Sequence, residues 1–385
     1  MSKKVVLYGA FDRYNYGDNL MPILLEIYFR QNHPEKVKDV EFLFASIKSS
    51  DLSQYSCKTT VAISDLLSIE NDSTVIVVGG EVLGADIGVL FTHVQKNHFK
   101  VQAIKLLRKL APSFINAIAR KSYGAVWDYP YIPQKRSFTN NVKVIYNTVG
   151  GIPSSTQGNY LKEADYISVR DQRTASAVTR FCKAELIPDS VLMASKILDI
   201  SFIESHVRES IKTKYNQRNF ITVQACPYKV DFTANELARE LLKFPDNINV
   251  VLLPIGYASG HDDIAFLEKV YSAAVTKFSI VDDLNVWEIM YLIIKSQAFY
   301  GTSLHGVITA MSFCVPHYCI NKNISKLTSF LETWSVEPYT QPLQVVDIFN
   351  SFNEHDSMNL IELKKSVDKA QSLIFNSLQE VSNLL

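Results

Sequence analysis

Short apolar runs alternate along the chain with longer segments in which apolar residues return every three or four positions. The runs Val5–Ala10, Val40–Ala45, Thr74–Gly79, Val142–Val149 and Tyr166–Val169 read as strands, as do Phe220–Ala225, Ile248–Ile255, Phe278–Val281, Ala298–Gly301 and His317–Ile320. Their near-continuous apolar character implies burial on both faces, as in a parallel sheet covered by helices. Helical spacing falls between them, at 18–30, 172–182, 233–243, 262–276, 286–296 and 304–313, and a last short strand of the first block closes at Pro188-Asp189-Ser190. Strand–helix alternation in two blocks predicts an α/β protein of two Rossmann-like, doubly wound domains. The polar segment Glu209–Arg218 sets the boundary between 196 and 218, giving domains at 1–197 and 198–350 and a C-terminal segment at 351–385. That segment is one long helix, with Leu360, Leu363, Val367, Ala370, Ile374, Leu378 and Val381 on a single face.

Composition narrows the function classes. The 385 residues are 47% apolar and 20% charged, which excludes intrinsic disorder. Thirty-nine basic residues balance 39 acidic ones, so no nucleic-acid partner is expected. Every apolar run falls well short of the ~20 residues of a membrane-spanning helix. Met1-Ser2-Lys3-Lys4 leads straight into the first strand with no secretory pattern, and the five cysteines form no CxxC pair, so a reducing cytoplasm is the expected compartment. Cys314, His317 and Cys319 cluster, but no second ligand pair accompanies them; a buried strand start accounts for them, and no metal is expected.

One stretch departs from the balance. From Ile87 to Trp127 there is no acidic residue, yet Lys96, Lys100, Lys105, Arg108, Lys109, Arg120 and Lys121 alternate with Val101, Ile104, Leu106, Leu107, Leu110, Phe114, Ile115 and Ile118, and Pro112 interrupts the helix. A basic amphipathic segment at 96–121 fits peripheral contact with an anionic membrane, a solvated basic face, or one wall of an acceptor cleft.

Candidate chemistry sits where strands end. The first strand runs into Gly9-Ala10-Phe11-Asp12-Arg13-Tyr14-Asn15-Tyr16-Gly17-Asp18, which is not the dinucleotide fingerprint GxGxxG. It is still a loop at the carboxyl end of a parallel strand, where open α/β sheets bind ligands. Asn15 and Asp18 place an amide and a carboxylate there; the plainer reading of Asp18 is a helix cap. Gly79-Gly80-Glu81 and Gly150-Gly151 end two further strands. Arg170-Asp171-Gln172-Arg173 opens a helix and suits an anion, although Arg170 and Asp171 could simply pair with each other. In the second block, Pro254-Ile255-Gly256 precedes His261-Asp262-Asp263. There, too, Gly301-Thr302-Ser303-Leu304-His305-Gly306 turns from a strand into a helix whose first turn carries His305, while Lys322 and Lys326 follow the next strand. Free N–H groups and the positive helix end favour a phosphate or carboxylate beside Ser303 and Leu304.

Taken in order, Gly9 with Asn15-x-Gly17-Asp18, Gly79-Gly80, Ser168-Val169-Arg170-Asp171, Pro188-Asp189, Pro254-Ile255-Gly256 before His261-Asp262-Asp263, Gly301-Thr302-Ser303-Leu304-His305-Gly306 and Pro316 with Lys326 resemble the polysaccharide pyruvyl transferase family, over residues 8 to 326. The resemblance implies a GT-B-like pair of Rossmann-like domains facing across a cleft. It also implies transfer of pyruvate, as a ketal, from phosphoenolpyruvate to a sugar of a surface polysaccharide or its lipid-linked precursor, with no further cofactor. On this reading His305 and Asp18 are catalytic. Arg170, Arg173, Ser303, Leu304, Lys322 and Lys326 hold the donor, and Asn15, Gly17, Gly80 and Glu81 face the acceptor. Many members carry Arg directly before Leu-His; this chain has Ser303 there. The alternatives are a nucleotide-sugar glycosyltransferase on the same architecture and an inactive glycan-binding protein. Expected partners are the donor, a saccharide acceptor, the inner face of the cell membrane through 96–121, and a second copy of the chain.

Overall fold

The computed structural model describes residues 3–93, 104, 106–257, 263–354 and 357–385. The first sheet holds β1 (Lys4–Tyr8), β2 (Glu41–Ser46), β3 (Val61–Ala62), β4 (Ser73–Val78), β5 (Val142–Val149), β6 (Tyr166–Val169) and β7 (Glu185–Leu186), in the order β3-β2-β1-β4-β5-β6-β7. The second holds β8 (Phe220–Gln224), β9 (Asn249–Leu252), β10 (Phe278–Ile280), β11 (Phe299–Gly301) and β12 (His317–Cys319), in the order β10-β9-β8-β11-β12. Every pairing in both is parallel. The two doubly wound lobes expected from the strand–helix alternation are therefore present. All six residues of β4, Ser-Thr-Val-Ile-Val-Val, are buried, as a central strand covered on both faces requires. β3 was not anticipated: two residues at a sheet edge are too few to register as a pattern.

Each strand order reverses beside the lobe's first strand, between β1 and β4 and between β8 and β11. A crevice opens at such a reversal, outside the carboxyl ends of the strands. The chain has its glycine-bearing loops at these points. Pro112 does break the preceding helical segment, and a new helix starts on it, Pro112–Tyr123, which stops at Gly124 in the left-handed conformation (φ 67°).

The C-terminal helix Ser357–Leu384 lies along both lobes. Near its start Ser366 donates to the Trp334 carbonyl at 2.7 Å. Midway, Gln371 donates to the Leu192 carbonyl at 2.9 Å. Further on, Phe375 packs on Tyr28, Ser377 hydrogen-bonds Tyr166 at 2.7 Å, and Lys143 donates to the Leu384 carbonyl at 2.6 Å. His317 sits buried on β12, with Nδ1 2.8 Å from the Val315 carbonyl and Nε2 3.2 Å from Ser335. Among the described residues no helix is long and apolar enough to cross a membrane.

Candidate active site

The strand-end loops of the two lobes enclose a cleft of about 410 Å³. The lobes touch beside it. Asn15 and Gly256 form an antiparallel backbone bridge, Tyr14 donates to the Leu284 carbonyl at 2.7 Å, and Tyr16 meets Thr309 at 2.9 Å.

His305 occupies the first turn of the helix Leu304–Ser312, capped by Ser303, whose hydroxyl accepts from the Gly306 N–H at 3.4 Å. Its imidazole crosses to the first lobe and lies over Gly17: a Cβ there would fall 1.8 Å from Nδ1. The role of Gly17 is therefore clearance for the ring. Nε2 of His305 lies 3.5 Å from Oδ2 of Asp189, a fully buried carboxylate. The same oxygen accepts from Nη1 of Arg170 at 3.3 Å, so imidazole and guanidinium converge on one atom. Burial pushes the Asp189 carboxyl up, but His305, Arg170 and the Val191 N–H outweigh it and hold the group below its ordinary range.

Arg170 is 1% exposed and its charge is met on three sides, by Asp189, by Glu81 at 2.8 Å and by Asp171 at 3.9 Å. Arg173 grips the other oxygen of Glu81 at 2.6 Å. Partial burial raises the Glu81 carboxyl, and Arg170, Arg173 and Lys326 more than reverse that. Gly80, at φ +77°, turns the loop after β4 so that Glu81 reaches both arginines; a Cβ on it would sit 3.5 Å from Oδ1 of Asp18. Asp18 does not cap its helix, because Asn19 satisfies the Asn15 N–H at 2.9 Å. Its carboxylate lines the cleft without a hydrogen-bond partner among the described residues.

The cleft also holds cations from both lobes. Lys326 lines the cleft with no ion pair among the described residues. Removal from bulk water, then Lys229 and Arg170, pull its ammonium down to about 8. Lys229 lines the same cavity, as does Arg13, which reaches the Tyr131 hydroxyl at 3.5 Å. Asp263, pushed up to about 6 by burial, accepts from Gln224 at 2.8 Å and from the Ile255 and Gly256 N–H groups at 3.1 Å each. A second cavity of about 460 Å³, bordered by Arg173, Tyr228 and Asn323, shares Glu81, Lys229 and Lys326 with the first.

The fold thus brings Asn15, Asp18, Gly80, Glu81, Arg170, Ser303, Leu304, His305 and Lys326 to one cleft, and Arg173 to its neighbour. Lys322 is exposed and borders neither cavity. His261 and Asp262 lie outside the described residues. Arg13, Tyr131, Asp189, Lys229 and Asp263 join the site without having been singled out. Asp189 and Asp263 stood inside motifs already noticed, and Arg13 and Lys229 in strand-end loops. Tyr131 carried no signal in the sequence.

The family model for polysaccharide pyruvyl transferases matches residues 15–323. Among solved structures, Staphylococcus aureus MnaA with UDP is 13% identical and superposes with a TM-score of 0.51, over 100% of this chain and 98% of that one. UDP-GlcNAc 2-epimerase from Neisseria meningitidis bound to UDP-GlcNAc is 12% identical, with a TM-score of 0.51 over 99% of each chain. Anabaena HepE in complex with UDP-glucose is 11% identical, with a TM-score of 0.52 over 99% and 100%. At these identities the likeness is one of fold, and the fold is GT-B-like. A search of curated proteins returns no match.

Proposed function

The chain belongs to the polysaccharide pyruvyl transferase family and is a transferase; from that premise we propose that it moves pyruvate from phosphoenolpyruvate onto a sugar of a surface polysaccharide or its lipid-linked precursor, as a ketal, in the cytoplasm. The observation that carries this reading is a buried Asp189–His305 pair opening into an interlobe cleft whose other side chains include Arg13, Lys229 and Lys326.

The donor carries a carboxylate and a phosphate. Such a ligand needs cations and free N–H groups, and the cleft supplies Arg13, Lys229, Lys326 and the first turn of the helix Leu304–Ser312. Arg170, already surrounded by carboxylates, positions Asp189 and Glu81. Ketal formation starts with a proton delivered to C3 of the donor, which leaves positive charge at C2. A sugar hydroxyl bonds to C2 and gives up its proton. The C2–O bond to phosphate then breaks with its electron pair, and a second hydroxyl of the same sugar closes the ring and releases its proton. One of the two hydroxyl protons replaces the one donated to C3, and the other leaves with phosphate. His305, with Nε2 3.5 Å from Asp189, is the acid for C3. Asp18 orients and deprotonates the attacking hydroxyl. Neither step calls for a metal or a further cofactor.

The test incubates the protein with phosphoenolpyruvate and surface-glycan fragments and follows free phosphate and glycan mass together. Phosphate release matched by a gain of pyruvate less water on one sugar is expected. Turnover of UDP-glucose with no reaction of phosphoenolpyruvate would overturn the reading in favour of glycosyl transfer.

A further inference from the structure

Among the described residues, Leu106 (59% exposed), Leu107 (42%), Leu110 (74%), Phe114 (60%) and Ile118 (41%) stand in solvent within thirteen positions. Elsewhere exposed large apolar side chains are scattered, which is ordinary for a soluble surface. Residues 106 and 110 precede the break at Pro112 and residues 114 and 118 follow it; each pair is spaced by four and so shares one face of its own helical segment. The buried stripe of the helix Pro112–Tyr123 is a different one, made by Ile115 and Ala119. Core packing therefore does not account for the apolar residues beside it.

Charge selects the occupant. Arg108, Lys109, Arg120 and Lys121 flank these side chains, and no Asp or Glu occurs from residue 87 to 127. Arg120 pairs with Asp128 just beyond that stretch, at 2.9 Å, whereas Lys109 and Lys121 pair with no described residue. Exposed aliphatic and aromatic side chains ringed by unpaired lysines match an anionic bilayer, where the former enter the acyl boundary and the latter meet headgroups.

The surface also adjoins the cleft. Leu90, on the helix Ile87–His93, lines it. That helix packs on Pro112–Tyr123: Asn116 donates to Asp86 at 3.1 Å, Tyr123 to the Leu90 carbonyl at 3.5 Å, and Phe91 meets Tyr123 edge-on. We propose that residues 106–118, with Lys109 and Lys121, dock the protein on an anionic lipid surface and hold the cleft mouth where a lipid-linked saccharide is presented. The docking stands on the surface alone; the identity of what is presented rests on the pyruvyl-transfer reading.

The test is co-sedimentation of the full chain with phosphatidylcholine vesicles, with and without phosphatidylglycerol, at low and high salt. Binding to the anionic vesicles that weakens with salt is expected. The pair Leu110→Asp/Phe114→Asp should lower the bound fraction about tenfold or more. Lys109→Glu/Lys121→Glu, at exposed positions that leave the packing untouched, should lower it about tenfold. Both variants should keep wild-type phosphate release on a soluble acceptor. Absence of binding to anionic vesicles, binding indifferent to both variants, or a solution dimer dispersed by Leu110→Asp/Phe114→Asp would each overturn the docking surface. Vesicle binding without pyruvyl transfer would sink the functional reading and leave the surface standing.

Discussion

On the first lobe the cleft wall holds Arg170 and Arg173 against Glu81, Asp171 and Asp189, with each guanidinium shared among carboxylates. On the second lobe Lys326 faces the same space with no ion pair among the described residues, and desolvation has already lowered its affinity for a proton. Breaking a buried, saturated pair leaves an uncompensated charge, so the first wall is a rigid frame. A desolvated and unpaired ammonium gains from an arriving anion, so on the second wall it is a bound anion that would be best received. The presence of a cation at a site thus says little about its role until its partners are counted.

The largest test of this division cuts the link between the walls. His305→Ala should lower kcat by about 10²–10⁴-fold while the donor KM changes little. Gly17→Ala, which drives a methyl group into the imidazole without touching either wall's charges, should cost about 10²-fold in kcat, since small displacements of a reacting group are expensive. Steady-state phosphate release checks both, and near-wild-type turnover of Gly17→Ala would mean the ring is not held where the reaction occurs.

The second test separates the walls. Lys326→Met should raise the donor KM about tenfold or more, because a charge-assisted contact is lost. It should also raise Tm by about 2 °C at neutral pH, since a desolvated charge is gone. The sign follows from proton binding. The Lys326 ammonium is held at about 8 in the fold against an ordinary 10.5. Between those values the unfolded chain binds more protons, so wild-type stability rises with pH there, and below about 8 the full penalty applies. Donor affinity runs the other way and falls as pH climbs through about 8. Titrating KM and Tm against pH in wild type and variant reads both.

The smallest effect belongs to the frame and lies at acid pH. Asp189 and Glu81 are held below their ordinary values of 3.8 and 4.5. Their contribution is complete above those values and is lost as pH falls through the lower, folded-state ones. Urea denaturation across that window should show a steeper acid loss in wild type than in Asp189→Asn.

Much of this is legible in the sequence. Buried parallel strands have a distinctive run of β-branched residues, and loops at their carboxyl ends are where ligands gather, so Asp18, Glu81, Ser303, His305 and Lys326 could be placed. The resemblance supplied the GT-B-like arrangement. What the chain order hid were relations between distant residues. Nothing in Asn-x-Gly-Asp says that Gly17 makes room for a ring carried by the other lobe. Nothing in Arg170-Asp171 says that Glu81 and Asp189 close around the guanidinium. Tyr131 enters from a loop with no motif at all.

The helix at the end of the chain has one more consequence. The polypeptide passes from the first lobe to the second after β7 and returns near residue 357, where the last helix begins its run back across both. The last helix thus fastens the two halves together along its length, from Ser366 on the Trp334 carbonyl to Lys143 on the Leu384 carbonyl.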